Sequence, residues 1–153
     1  MGGRGAGGGE YGLSSKRQAI ATIDYAYDSY NSRYENLVSM QKSLESDIAK
    51  WKKEERKYEE DFVRRVRESG SQRDPDDGHW IGRSAGYYSQ SRADERFNRK
   101  HGGEIARRQE TIDRARRNVD EAARKLYDLQ DKAARKFNLK RSEYEKLSKR
   151  KYK

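Results

Sequence analysis

Residues 15–69 of the chain read SKRQAIATIDYAYDSYNSRYENLVSMQKSLESDIAKWKKEERKYEEDFVRRVRES, and they contain neither glycine nor proline. Large apolar side chains return along this run at alternating steps of three and four residues, which is the spacing of a coiled-coil heptad seam. An apolar stripe this narrow on so polar a helix must be covered by a second helix. The seam is interrupted at Gln41 and Glu55, and its members are Ile20, Ile23, Tyr27, Tyr30, Tyr34, Leu37, Leu44, Ile48, Trp51, Tyr58 and Phe62.

A second run without glycine or proline begins at Glu104 and continues to about residue 150. Small alanines along it would face the large aromatic side chains of the first run. Because large side chains pack closely against small ones, this match predicts an all-α fold in which two long helices form an antiparallel coiled-coil hairpin. A self-associating bundle would use the same stripes. The heptad line is Ile105, Ile112, Val119, Leu126, Ala133, Lys140 and Leu147, and its companions are Ala115, Ala122, Leu129, Phe137 and Tyr144.

Glycine and proline mark the expected domain organisation. The first residues are rich in glycine and are predicted to form a flexible tail. The remainder is predicted to be a single helical hairpin domain with a 30-odd-residue loop or small subdomain at its tip. The corresponding ranges are 1–13 for the tail, 14–153 for the domain, 15–69 and 104–150 for its helices, and 70–103 for the loop.

The helix ends carry recognisable signals. Ser15 with Gln18 forms a capping box at the start of the first helix, and Gly70 supplies a left-handed stop after Ser69. Ser91 is expected to cap a short helix within the loop, ending before the glycine pair at 102–103. These signals predict one long helix, a broken segment and a second long helix.

The loop contains three large aromatic side chains that have little core to enter. Residues 79–81 and 86–88 either pair as a short hairpin or form an irregular tip. Aromatic residues at exposed tips often make contacts with partner proteins. Trp80, Tyr87 and Tyr88 are therefore candidate protein-docking residues, and the alternative is an aromatic cluster that stabilises the loop itself.

Composition restricts the class of protein. Only 31% of the residues are hydrophobic and 41% are charged, which excludes a thick globular core. The absence of cysteine excludes disulfides, thiol nucleophiles and cysteine zinc sites. No stretch of the sequence predicts a membrane span or a signal peptide, so a soluble, cytoplasmic protein is expected.

The positive charge is concentrated at the end of the chain. Of the formal net charge of +10, residues 132–153 supply +8, from 10 basic and 2 acidic side chains. A helix dipole favours cations in the last turn, but it does not account for this excess over about six turns. The pattern predicts contacts with phosphates. The candidate nucleic-acid-binding residues are Lys132, Arg135, Lys136, Lys140, Arg141, Lys146, Lys149 and Arg150.

Catalytic and metal sites have weak support. Asp74 and the acids that follow it do not fit the ligand spacing of a calcium-binding loop, because Gly78 falls at a ligand position. His79 and His101 lie 22 residues apart and lack a helical histidine partner. No flanking signature supports a nucleophile among the loop serines Ser84, Ser89 and Ser91. The sequence therefore predicts no enzyme, no metal and no cofactor.

The opening segment Met1-Gly2-Gly3-Arg4-Gly5-Ala6 resembles the start of small proteins encoded by bacteriophages and prophages. The resemblance implies a phage origin, with a virion-associated location as one expectation, and it carries no functional residue.

Together these patterns predict a non-enzymatic basic coiled-coil protein that binds nucleic acid or a nucleoprotein through its C-terminal basic helix. The alternative is a protein–protein interaction module, either a phage-type structural adaptor or an inhibitor of a host protein. Homo-oligomers are compatible with either function, and no membrane partner is expected.

Overall fold

A computed structural model describes residues 15–140 and residue 142. This part of the chain is all-helical, with helix α1 over Lys16–Ser69 and helix α2 over Ala85–Phe137 packed against each other. A loop of residues 70–84 joins them, and its one isolated β-bridge pairs Arg73 with Trp80. Neither helix contains an apolar stretch long enough to cross a membrane. The predicted glycine-rich tail, residues 1–13, lies outside the described residues.

Helix α1 begins and ends where the sequence predicts. The Ser15 hydroxyl accepts the backbone N–H of Gln18 at 3.1 Å, which satisfies one of the amides left unpaired at a helix start. At the other end Gly70 adopts a φ of 67°, and its N–H donates to the carbonyl of Val66 at 3.2 Å. Glycine adopts this left-handed conformation without steric cost, so it closes the helix.

Helix α2 begins at Ala85, and the prediction of a loop or short helix over residues 70–103 is wrong beyond residue 84. The Ser84 hydroxyl caps α2 by accepting the N–H of Tyr87 at 3.2 Å. Neither the strand pairing of residues 86–88 nor the helix start at Ser91 is present. The glycine pair at 102–103 lies within the helix. Each such glycine costs about 1 kcal/mol relative to alanine, which packing against α1 offsets.

Helix α2 ends at Phe137, so the predicted continuation to residue 150 is wrong at residues 138–140. Asn138 has a φ of 51°, a left-handed conformation that asparagine tolerates better than most residues do. The next side chain, Leu139, turns back and is buried against Ala19 and Ile23 of α1. A packed leucine therefore fixes the direction of the chain after the helix.

The described chain forms two compact units, and unit 1 comprises α1 up to Ser39 together with the chain from Ile112 onward. In unit 1 the Arg33 guanidinium donates to the Asn118 carbonyl at 3.2 Å. Its buried core combines large aliphatic side chains with alanines, whereas the sequence predicted alanines facing aromatic side chains. The buried cluster is Ala19, Ile23, Leu126, Leu129, Ala133 and Leu139.

Unit 2 comprises Met40–Thr111 and includes the loop. Arg108 of α2 donates to Asp47 of α1 at 2.7 Å. Farther along, the ring of Trp51 stacks on that of His101 at a centroid distance of 4.1 Å. Nearest the loop, a buried cluster contains Phe62, Val66 and Ile81, with Tyr58, Ala85 and Tyr88 packed around it.

The predicted seam is confirmed at Ile23, Leu37, Leu44 and Phe62, which are buried. Ile20 and Ile48 are only partly buried. Tyr34 departs from the prediction, because 47% of its surface is exposed. The sequence did not mark Ala19 or Val66, although each lies four residues from a predicted seam member and both are buried.

Glu55, where the apolar seam is interrupted, remains within the packed surface of unit 2. Its side chain is only 8% exposed, and the Lys52 ammonium lies 3.7 Å from its carboxylate. Burial raises the pKa of Glu55 above its usual 4.5, and hydrogen bonding with Asp94 raises it further, whereas Lys52 lowers it. The effect of burial on this pKa outweighs that of the nearby lysine, so the charged form of Glu55 is disfavoured in the folded state.

We expect Glu55→Gln to increase the free energy of unfolding at neutral pH. The folded-state pKa of Glu55 lies above its unfolded value, so the folded protein loses stability as pH rises from about 4.5 through that raised pKa. Glutamine mimics the protonated acid and avoids this loss. Urea unfolding of both proteins across pH would show a gain at neutral pH that vanishes below about pH 4. The exposed Glu54→Gln serves as control, and a gain independent of pH would contradict the expectation.

Candidate functional site

The loop of unit 2 is built around the buried carboxylate of Asp74. One Asp74 oxygen accepts the backbone N–H of Asp76 at 2.8 Å, and the other accepts the hydroxyl of Tyr88 at 3.1 Å. The Arg92 guanidinium lies 3.3 Å from this second oxygen. The backbone of Asp74 also donates to the carbonyl of His79 at 2.7 Å. A buried carboxylate with these partners fixes the loop on α2.

The neighbouring acids are also paired. Asp76 accepts from Arg65 at 2.8 Å and from the Tyr58 hydroxyl at 2.9 Å. These hydrogen bonds, led by that from Arg65, lower the pKa of Asp76. Asp77 accepts the backbone N–H of His79 at 2.9 Å. The acids of the loop therefore serve its internal structure.

The structure separates the three predicted docking residues. Trp80 is 65% exposed and Tyr87 is 60% exposed. An arginine lies against each ring, with Arg73 5.9 Å from the centroid of Trp80 and Arg83 4.7 Å from that of Tyr87. Tyr88 instead packs on Phe62 and holds Asp74, so it belongs to the structural cluster that was the alternative prediction.

The predicted nucleic-acid-binding residues lie at the end of α2 and beyond it. Lys132, Arg135 and Lys136 are exposed on the last turns, and Lys140 is exposed after the helix. Arg135 lies 3.2 Å from Asp131, and the Lys136 ammonium lies 5.5 Å from the ring centroid of Phe137. Lys140 lies after the end of α2 at Phe137, so it does not continue the helical spacing of Lys132 and Lys136. The remaining candidates, Arg141, Lys146, Lys149 and Arg150, lie outside the described residues.

Unit 1 also contains a groove of about 290 Å³ that the sequence did not reveal. Tyr25, which lies off the heptad seam, stands at its edge with 75% of its surface exposed. Lys125 lines the groove from α2 and precedes Lys132 and Lys136 by seven and eleven residues, which places all three on one side of the helix. That spacing was visible in the sequence. The lining residues are Thr22, Tyr25, Ala26, Ser29, Arg33, Ala122, Lys125 and Leu129.

The residues considered for metal binding or catalysis have structural contacts. Across the described residues, no group of three or more His, Asp or Glu side chains is placed to hold a metal ion. The exposed His79 lies 3.0 Å from Asp77, and His101 packs between the rings of Trp51 and Phe97. The Ser89 hydroxyl donates to a backbone carbonyl at 2.8 Å within α2.

Comparison of the chain with models of protein families, with curated proteins and with solved structures finds no match.

Proposed function

We propose that the chain is a non-enzymatic protein that binds nucleic acid, alone or within a nucleoprotein, through the basic end of unit 1. The observation that carries this proposal is the exposure of Lys132, Arg135, Lys136 and Lys140 at the start of a segment with a net charge of +8. When the cations of a protein displace the counterions of a nucleic acid, the affinity of binding increases without any reading of the sequence. The expected binding is therefore strong at low salt and nearly independent of sequence.

The proposed scaffold is an antiparallel coiled-coil hairpin. Within unit 2, residues farther along α1 contact residues that come earlier in α2: Asp47 pairs with Arg108, whereas Trp51 stacks on His101. Unit 1 shows the same order, since Ala19 and Ile23 share a cluster with Leu139 whereas Arg33 contacts Asn118. Such packing supports the basic turns of α2 from one side and leaves their charged side chains exposed.

The proposal is tested by the salt dependence of binding. If about six cations displace counterions, the logarithm of affinity for duplex DNA falls against the logarithm of salt concentration with a slope of roughly −5. Replacing Lys132, Arg135, Lys136 and Lys140 with glutamine is expected to flatten that slope by roughly 3 to 4. Glutamine is a good helix former, so circular dichroism should be unchanged. The measurement is fluorescence anisotropy of labelled DNA across a salt series.

A matched control removes the same charge elsewhere. In unit 2, Lys42, Lys50, Lys53 and Lys57 are all exposed on α1. Their fourfold glutamine variant has the same net charge as the test variant, and we expect it to retain most of the wild-type slope. Equal slopes for the two variants would show that overall charge, and no particular surface, causes binding. Absence of binding by the wild type at low salt would refute the proposal.

The second candidate function is a protein-docking module, such as a phage-type structural adaptor or an inhibitor of a host protein. The specific observation in its favour is the exposure of Trp80 on the loop and of Tyr87 in the first turn of α2, both close in sequence to the buried Asp74 network. Rigid aromatic side chains lose little conformational entropy when they dock. This function places the contact surface in unit 2, so the location of binding distinguishes it from the first.

A further inference from the structure

The groove of unit 1 combines an aromatic edge with an apolar floor. Tyr25 projects from α1 with most of its ring exposed, and Leu129, Ala26 and Ala122 also line the groove. Arg33 and Lys125 bring positive charge to the same groove. An exposed aromatic face beside cations is the arrangement that stacks an unpaired base while holding its phosphates.

The two sides of unit 1 differ in charge. On α1, the acids Asp24, Asp28 and Glu35 follow one another at steps of four and seven, which places them together across Ile23 from the groove. No carboxylate of α1 lines the groove. On α2, the groove side carries Lys125, Lys132 and Lys136 against Glu121 and Asp128 by helical position. With Arg33 included, the groove side carries a net positive charge. An anionic occupant would complement this charge.

We infer that this groove binds single-stranded nucleic acid, with a base stacked on the ring of Tyr25 and the adjoining phosphates held by Lys125 and Arg33. The inference rests on the proposed nucleic-acid function and specifies its substrate. In a duplex each base is already stacked between its neighbours, so Tyr25 has no free base face to contact. In a flexible single strand the bases are available, and stacking adds to the attraction of the phosphates.

The test compares single-stranded and duplex DNA. Anisotropy titrations at low salt would use a labelled thymidine homopolymer and a duplex of equal length. We expect Tyr25→Ala to bind the single strand about tenfold more weakly, which corresponds to the loss of one stacked base. Its affinity for the duplex should not change. Tyr25→Phe keeps the ring and should keep wild-type affinity, which separates stacking from any effect of the hydroxyl.

Tyr127→Ala is the matched control. Tyr127 is 68% exposed on α2 of the same unit, and its helical position places it across Leu126 from the groove. We expect this variant to bind both DNA forms like the wild type. Both substitutions replace an exposed tyrosine with the best helix former, so circular dichroism should show intact folding.

Three results would overturn the inference. Equal affinities of Tyr25→Ala and Tyr127→Ala for the single strand would remove the stacking role while leaving salt-dependent binding, and hence the proposed function, in place. Competition by polyglutamate as effective as that by the oligonucleotide would identify the groove as a site for acidic protein segments. Failure of the wild type to bind any nucleic acid would remove the proposed function as well.

Discussion

Phe62→Ala is expected to lower the free energy of unfolding by about 3–5 kcal/mol, the usual cost of truncating a buried phenylalanine. Phe62 is fully buried, and its ring lies 5.7 Å from that of Tyr88 and 6.1 Å from that of Tyr58. Val66 and Ile81 complete the cluster. So large a cavity, next to the loop, would weaken both the helix contact and the attachment of Ile81.

Urea unfolding followed by circular dichroism measures the loss. Tyr87→Ala is the control, because Tyr87 is an exposed aromatic of the same segment and its truncation should change stability by about 0.5 kcal/mol or less. A Phe62→Ala variant as stable as Tyr87→Ala would show that unit 2 does not depend on this cluster.

Asp74→Ala is expected to lower the free energy of unfolding by about 3 kcal/mol, because it leaves the partners of the buried carboxylate without an acceptor. The backbone N–H of Asp76 and the hydroxyl of Tyr88 would each lose a hydrogen bond. Arg92 would lose an ion pair whose acid is fully buried, while its own side chain remains 31% exposed and can be rehydrated. The decrease in the free energy of unfolding should therefore lie at the lower end of the range observed when one partner of a buried ion pair is removed.

A double-mutant cycle with Tyr88→Phe isolates one of these contacts. If the hydroxyl of Tyr88 depends on Asp74, the two substitutions together should cost less than the sum of their separate effects. Asp77→Ala, a change at a neighbouring exposed acid, should be far milder. Strict additivity, or an Asp74→Ala variant as stable as Asp77→Ala, would mean that the network does not hold the loop.

Local signals in the sequence predicted helix α1 closely. Ser15 and Gly70 are end signals whose chemistry acts within a few residues, so no knowledge of the tertiary structure is needed to recognise them. The heptad positions of α2, such as Ile112, Val119 and Leu126, were also predicted and are buried. The period of the apolar side chains carries this information directly.

Other features depend on contacts between distant residues. The glycine pair at 102–103 suggested a break, but packing against α1 outweighs its low helix propensity. The sequence shows the acids of the loop but not that one of them is buried, because the burial of Asp74 follows from the approach of Tyr88 and Arg92 along α2. The groove at Tyr25 likewise requires α1 and α2 to lie side by side. Sequence periodicity does not report such arrangements.

The most direct test of nucleic-acid binding by unit 1 is an amide and indole NMR titration with a short single-stranded oligonucleotide at low salt. We expect the largest shifts along residues 22–33 and 125–137, and we expect added salt to reverse them. The indole signals of Trp51 and Trp80, the chain's two tryptophans, both belong to unit 2 and should stay in place. Shifts centred on Trp80 and Tyr87, or no shifts at saturating oligonucleotide, would contradict the account.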